Sequence, residues 1–97
     1  MAEVSFEWDA RKNRANQKKH GISFEEARTA FFDEHARVIA DSEHSEDEDR
    51  FVLLGLSAQL RVLVVCHCYR ASDQVVRIIS ARRADPSEQL QYAEHLP

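Results

Sequence analysis

Residues 60–84 read LRVLVVCHCYRASDQVVRIISARRA, which is two runs rich in valine, leucine and isoleucine separated by a short polar segment. Such runs predict two β-strands, over 60–69 and 75–80, joined by a tight turn at residues 71–73. The two strands are expected to pair as an antiparallel hairpin, and the rest of the fold is predicted outward from it.

Further strands are expected upstream of this hairpin. The segments 36–40 and 50–56 have the same apolar composition, and residues 57–59 provide a short turn into the hairpin. Together these segments predict an antiparallel meander. The segment 5–8 predicts one more short strand, at an edge of the sheet.

Two helices are predicted before the meander. Asp9 and Gly21 have the residue types of a helix N-cap and of a left-handed stop, which predicts a first helix over 10–20. The segment Ser23-Phe24-Glu25-Glu26 is a capping box, in which the serine accepts from the Glu26 amide and the Glu26 side chain reaches back. A second helix is therefore expected to begin there and to end near Asp33.

A third helix is predicted at the C-terminus, where Asp85-Pro86-Ser87-Glu88 is a strong helix start. The side chains expected to point inward are Phe24, Ala27 and Phe31 from the second helix, and Leu90 with Tyr92 or Ala93 from the third. The predicted fold class is α+β, with two N-terminal helices, a four- to five-stranded mainly antiparallel sheet and a short C-terminal helix.

The composition is typical of a single globular domain over residues 1–97, since 43% of the residues are hydrophobic and only two are glycine and two proline. The longest apolar run, Val62 to Cys66, is far shorter than the roughly 20 residues of a membrane helix. The first twenty residues also lack the apolar centre of a secretory signal. We therefore expect a cytoplasmic protein without membrane contact, in which Cys66 and Cys68 form no structural disulfide.

The net charge of −4 conceals an uneven distribution of charge. Residues 10–20 carry five cations and no acid, and residues 61–84 carry five cations and one acid. Residues 25–50 carry ten acids and three cations, and the acidic stretch 41–49 within them is predicted to be an exposed loop. The two basic segments are the parts of the chain suited to a phosphate-bearing partner.

Three side chains stand out against these patterns. Strand alternation along 61–70 places His67 on the face opposite the two cysteines. Arg77 interrupts an apolar strand, so we expect with equal weight that it pairs with an acid or that it faces a wet functional cleft. His20 follows two lysines at a helix end, where the three cations either complement the helix dipole or form a basic rim at which His20 transfers protons.

Cofactors have no support in the sequence. His67 points away from Cys66 and Cys68, and no second Cys/His cluster completes a zinc site. Two glycines cannot form a nucleotide-binding loop, and no serine lies in a nucleophile elbow. The remaining arginines, lysines, histidines and tyrosines suit metal-independent RNA cleavage, which needs a proton acceptor, a proton donor and cations for the phosphorane. The same residues suit phosphate binding without cleavage.

Two sequence blocks are specific when they occur together: Trp8-Asp9 with Lys19-His20-Gly21, and Arg77-Ile78-Ile79-Ser80-Ala81-Arg82. With them the chain resembles, over nearly its whole length, the BrnT toxins of bacterial type II toxin–antitoxin pairs. The resemblance implies a small ribonuclease of RelE-like fold that halts translation by cutting RNA. It also implies neutralisation by a BrnA-like antitoxin with a ribbon-helix-helix DNA-binding part, repression of the shared operon, and an assembly compatible with a dimer within the complex.

The resemblance further implies which residues form the functional surface. The expected catalytic residues are Lys19, His20, His67, Arg77 and Arg82, and the expected RNA-binding residues are Arg50, Arg83 and Tyr92. We assign proton transfer to His67 or His20 and stabilisation of the phosphorane to Arg77 and Arg82. The two arginines fall on opposite faces of a regular strand, so a bend, a bulge or the end of the strand near Ser80 is required to bring them to one site.

Two classes of function stay open at this level. The chain is an endoribonuclease, or it is a catalytically inactive subunit that binds the antitoxin within an operon-repressing complex. Direct DNA binding by this chain is the least favoured hypothesis, because no helix-turn-helix with a recognition face is apparent. DNA is expected to be reached only indirectly, through the antitoxin.

Overall fold

The computed structural model describes residues 4–40, 50–72 and 74–97. The predicted acidic loop over 41–49 and Asp73 of the predicted hairpin turn lie outside these residues. The elements in chain order are β1 (Ser5–Glu7), α1 (Ala10–His20), α2 (Phe24–Ala30), β2 (Arg37–Ala40), β3 (Phe51–Leu56), β4 (Val62–Arg70), β5 (Val75–Arg83) and α3 (Pro86–Glu94).

The strands form one five-stranded sheet in the order β1-β5-β4-β3-β2. Strands β2 to β5 are the predicted antiparallel meander, and β1 pairs with β5 in parallel. α1 and α2 pack on one face of the sheet, which we call the α1/α2 face, and α3 packs on the other, the α3 face. The predicted α+β class, with two N-terminal helices and a C-terminal helix, is confirmed.

The outer edge of β5 is shared between β1 and α1. β1 pairs with Val75, Val76 and Arg77, and no strand in the described part of the chain lies along the rest of this edge. There the buried carboxamide of Asn16 accepts from the Ala81 amide at 3.1 Å and donates to the Ala81 carbonyl at 2.8 Å. It also donates to the Ile22 carbonyl at 2.8 Å. A side chain of α1 thus takes the hydrogen-bonding place of a strand.

The start of α2 differs in part from the predicted capping box. Ser23 accepts from the Glu26 amide at 3.0 Å, as expected. The Glu26 side chain turns away from the helix start and accepts from Ser57 at 2.7 Å and from the Arg61 guanidinium. α2 ends at Ala30 rather than near Asp33 as predicted. Its last turn lies against β3. A Cβ on Gly55 would lie 2.7 Å from the Ala30 carbonyl oxygen, so this close approach requires glycine.

β5 continues to Arg83, beyond its predicted end at Ser80, and a β-bulge interrupts its pairing with β4. His67 is opposite Ile78, whereas the preceding Cys66 is opposite Ser80, so Ile79 is the extra residue. Beyond the bulge the ladder resumes to Arg83. Every side chain after Ile79 therefore points to the face opposite the one that strict alternation predicts.

The sheet separates two apolar clusters. The larger one, on the α1/α2 face, includes Phe24 and Ala27 as predicted, with Phe31 partly buried at its margin. The smaller one, on the α3 face, is formed by Leu54, Val64, Ala84 and Tyr92. The prediction for Leu90 was wrong, since 61% of it is exposed: α3 touches the sheet through Tyr92, and Leu90 falls on its outer side.

None of the helices in the described part of the chain is long and apolar enough to cross a membrane.

The edge contact of Asn16 yields a stability prediction. Asn16→Ala leaves the amide and carbonyl of Ala81 and the carbonyl of Ile22 without their partner, and we expect unfolding to become easier by about 3 kcal/mol. Urea denaturation at neutral pH measures this change. Asn16→Asp should be at least as destabilising, because a carboxylate would face two carbonyl oxygens. The control Arg14→Ala, exposed on the same helix, should change the stability by less than about 0.5 kcal/mol.

Candidate functional site

Several arginines lie on the α3 face, and the bulge at Ile79 brings Arg82 among them. Arg77 is opposite Cys68 and Arg82 is opposite Val64, and both of those β4 residues lie on the α3 face. Arg37 is opposite Leu54 and so shares this face, and Arg50, which precedes Phe51 in β3, follows by alternation. We call these four residues, Arg37, Arg50, Arg77 and Arg82, the arginine face.

Arg77 is held by a carboxylate of the adjacent edge strand. Its Nη1 donates to Glu7 Oε2 at 2.6 Å, and Arg70 Nε lies 3.8 Å from the same oxygen. The Arg77 side chain is 30% exposed and that of Glu7 is 41% exposed, so solvent reaches both. Arg77 therefore pairs with an acid, the first of the two predicted alternatives, and the paired guanidinium is also reached by solvent. A place for Arg77 in a functional cleft stays a prediction.

Arg82 is held by α3. Its Nη1 and Nη2 donate to the two carboxylate oxygens of Glu88 at 2.7 and 2.8 Å, a bidentate pair. Glu88 also accepts from the Asp85 amide and closes a reciprocal capping box with that residue. The hydrogen bond from Arg82 is the main reason why the pKa of Glu88 is lowered. The start of α3 thus fixes the direction of the Arg82 guanidinium.

Cys66 and Cys68 also lie on the α3 face, and both are partly exposed thiols outside any disulfide. Ser80 is opposite Cys66 on β5. Within the described ranges, no group of three or more His, Cys, Asp or Glu side chains is placed to hold a metal ion.

His67 lies on the other side of the sheet and is fully buried. Its Nδ1 is 3.1 Å from the Val65 carbonyl oxygen, which can only accept, so Nδ1 carries the proton. Nε2 then accepts from the Tyr69 hydroxyl at 3.2 Å. Burial lowers the pKa of His67, and the ring is therefore neutral near pH 7. Solvent is separated from this imidazole by its aromatic neighbours.

The other predicted site residues do not join the arginine face. Lys19 and His20 form the last turn of α1, on the α1/α2 side of the sheet. Arg83 is opposite Leu63 on that same side, and its charge contributes to the lowered pKa of Glu26. Tyr92 is buried and donates to Asp33 at 2.5 Å, and burial together with Asp33 raises the pKa of Tyr92 to about 12.

The expectation that all eight residues share one surface is thus not met. Arg50, Arg77 and Arg82 share the α3 face. Tyr92 lies on the same side of the sheet but is buried there, whereas Lys19, His20, His67 and Arg83 lie away from this face. Their roles as catalytic or RNA-binding residues stay predictions. The sequence-based prediction missed Glu7 and Glu88, the carboxylates that hold the two arginines. The helix start at 85–88 could have pointed to Glu88. Glu7 reaches Arg77 because β1 pairs with β5, which lies far away in the sequence.

Comparison with known proteins identifies relatives of this chain. Residues 8–88 match the family model described as the ribonuclease toxin BrnT of type II toxin–antitoxin systems. The crystal structure of the Brucella abortus ribonuclease toxin BrnT is similar, with a TM-score of 0.66 and 23% sequence identity over 84% of this chain and 97% of that one. At this identity the likeness shows a shared fold. No curated protein sequence matches the chain at a significant level.

The buried, neutral state of His67 predicts a pH-dependent stability. Its pKa in the folded protein lies below the ordinary 6.5, so at lower pH the unfolded chain binds a proton that the folded chain does not. The free energy of unfolding should therefore fall as the pH drops below 6.5, with a slope of at most about 1.4 kcal/mol per pH unit. Urea titrations at about pH 7.5 and pH 5.5 measure the difference.

His67→Phe should remove this pH dependence, whatever its effect on stability at neutral pH. His95→Gln, at an exposed position, should retain it. An equal loss of stability in the wild type and in His67→Phe over this range would contradict the assignment to His67.

Proposed function

The chain belongs to the BrnT family of ribonuclease toxins of type II toxin–antitoxin systems, and from this premise we propose that it is a metal-independent endoribonuclease whose active centre is the arginine face. The observation that carries the proposal is the bulge at Ile79, which turns Arg77 and Arg82 to the same side of the sheet. Two oriented guanidiniums on one surface suit a phosphodiester, whose charge rises as the transition state forms.

The proposed reaction is an internal transfer at phosphorus. The ribose 2′-oxygen loses its proton to a base and attacks the adjacent phosphorus, and the bond from phosphorus to the 5′-oxygen of the next nucleotide breaks. That 5′-oxygen leaves with a proton from an acid. The products are a 2′,3′-cyclic phosphate and a 5′-hydroxyl, and the extra charge on the phosphorane is what the arginines stabilise.

The carboxylates of this face have two roles in the proposal. Glu88 holds both nitrogens of the Arg82 fork from one side and so fixes where the guanidinium points. Glu7 lies 2.6 Å from Arg77 and is 41% exposed, so it can accept the proton of the ribose 2′-hydroxyl next to a phosphate held by that arginine. The burial of His67 behind the opposite side of the sheet favours Glu7 over His67 as the proton acceptor.

Membership in a type II family implies a protein antitoxin. We propose that this partner is BrnA-like, that it neutralises the toxin in the cytoplasm, and that it makes any contact with operator DNA. Inhibition of translation would then follow from loss of RNA when the antitoxin is absent. The strongly basic surface of α1 supports an acidic segment of the antitoxin as its contact.

A second candidate function is a catalytically inactive subunit that binds the antitoxin in a repressor complex. It is favoured by the fact that Arg77 and Arg82 are both engaged by carboxylates, which neutralise part of the charge that RNA would use. Lys19, His20 and His67 also lie away from these arginines. Cleavage by the free protein decides between the two functions.

The purified chain, free of antitoxin, should cut single-stranded RNA in the presence of EDTA and leave 2′,3′-cyclic or 3′-phosphate ends. Gel analysis and mass spectrometry of the fragments measure both features. RNA in which every ribose is 2′-O-methylated should resist cleavage, because the nucleophile is blocked. Intact unmodified RNA at high protein concentration would instead support the inactive subunit.

Single substitutions on the arginine face should lower cleavage without unfolding the chain. Arg77→Ala and Arg82→Ala should each reduce kcat/KM by about 10²-fold or more, as for loss of one contact to a transition state. Glu7→Gln should reduce kcat, because an amide cannot accept the proton. Arg14→Ala, at an exposed position of α1, is the matched control and should have little effect. Full activity in both arginine variants would place the site elsewhere.

A further inference from the structure

A continuous row of aromatic rings lies at one end of the α1/α2 face, outside the arginine face. Phe6 contacts Phe32 and Phe31, with ring centroids 5.9 and 5.2 Å apart. The row continues from Phe31 to His67 at 4.9 Å. It ends in Phe51 and Tyr69, whose centroids are 5.4 Å apart and which both contact His67. We call the solvent-accessible members, Phe6, Phe32, Phe51 and Tyr69, the aromatic platform.

The platform is open to solvent in a way that the core of the same face is not. Phe32 is 69% exposed, and Phe6, Phe51 and Tyr69 are partly exposed, whereas Phe24 and Ile78 are fully or almost fully buried. An aromatic ring exposed to this extent contributes little to the stability of the chain. Its exposure is explained if a flat ligand group covers it in a complex.

One cation lies against the platform, and two others adjoin its rings in the sequence. The Arg28 guanidinium lies 5.4 Å from the centroid of the Phe6 ring. Arg50 directly precedes Phe51, and Arg70 directly follows Tyr69. Strand alternation turns these two arginines away from the rings and towards the other side of the sheet, where the arginine face lies. An arginine therefore adjoins an aromatic residue of the platform at the start of β3 and again at the end of β4.

The Tyr69 ring is held in place by the buried His67. Its hydroxyl donates to His67 Nε2 at 3.2 Å, and the imidazole is fixed by the Val65 carbonyl and by the Phe31 ring. A ring that is already oriented loses little conformational entropy when a ligand stacks on it. His67 is therefore a positioning residue for the Tyr69 ring, a role that a buried side chain can fill.

We propose that the aromatic platform binds unpaired nucleobases of single-stranded RNA by stacking, with Phe32 as its outer ring. The inference rests on the proposed ribonuclease function and adds a substrate subsite to it. Bases stack on the rings, while the phosphates between them run past Arg28 and over the strand ends to Arg50 and Arg70. Single-stranded RNA is recognised in general by this combination of aromatic rings and cations.

Binding of an uncleavable strand tests the proposal independently of catalysis. The probe is a short, fully 2′-O-methylated single strand, compared with the same backbone carrying abasic sites, and fluorescence anisotropy of a terminal dye measures the affinity. Phe32→Ala should weaken binding of the strand with bases by about tenfold and leave the abasic strand unchanged. Phe32→Trp should bind at least as tightly as wild type.

Two further variants separate stacking from a general apolar contact. Phe32→Leu keeps an apolar side chain but has no ring, and it should lose as much affinity as Phe32→Ala. Leu60→Ala removes an apolar side chain that is 79% exposed in the β3–β4 turn, and it should bind like wild type. Wild-type affinity in Phe32→Leu, or an equal loss on both strands, would overturn the proposal and favour a protein partner for this surface.

The outcomes also distinguish this inference from the proposed function. Base-dependent binding without cleavage of unmodified RNA would support the platform and contradict the nuclease. If Arg77→Ala abolishes cleavage while Phe32→Ala changes neither the RNA affinity nor the cleavage rate, the nuclease is supported and the platform is contradicted.

Discussion

The hydrogen bonds between the Asn16 carboxamide and the backbone of Ala81 are the contact on which the rest of the fold depends. β1 is too short to cover the outer edge of β5, and a buried edge without partners would cost the free energy of unmade hydrogen bonds. Asn16 supplies those bonds from α1 and, through Ile22, fixes the turn into α2. Because Asn13 and Asn16 are the buried residues of this helix, α1 is held by amide contacts rather than by an apolar stripe. Its remaining surface is therefore free to be strongly basic.

The bulge in β5 has the largest consequence for function. A regular strand would send Arg77 and Arg82 to opposite sides of the sheet. One extra residue at Ile79 turns the second half of the strand over, so that both guanidiniums reach the α3 face. The same change returns Ala81 to the α1/α2 face, where it meets Asn16. A single irregularity thus serves both the anchoring of α1 and the arrangement of the arginines.

Charge on this protein is organised locally, which explains how an acidic chain belongs to a family of ribonucleases. The two arginines of the proposed centre are each held by one carboxylate, Glu7 or Glu88, and each pair remains accessible to solvent. Such pairs hold the guanidinium forks in fixed directions at the expense of some net charge. Glu26 and Asp33 lie away from this centre and serve the structure, since one is hydrogen bonded to Ser57 and Arg61 and the other to Leu56 and Tyr92.

The sequence by itself determined the elements: the hairpin around residues 60–84, the caps at Asp9, Ser23 and Asp85, and the α+β class follow from local propensity and periodicity. It also determined the family, because the Trp8-Asp9 and Arg77 to Arg82 blocks are specific together. Only the tertiary structure decided the partners of Arg77 and Arg82, the burial of His67 and Tyr92, and the outward position of Leu90. These depend on strand register, on a bulge of one residue and on the parallel pairing of β1 with β5. Such features arise from contacts between residues far apart in the chain, and a local pattern contains no signal for them.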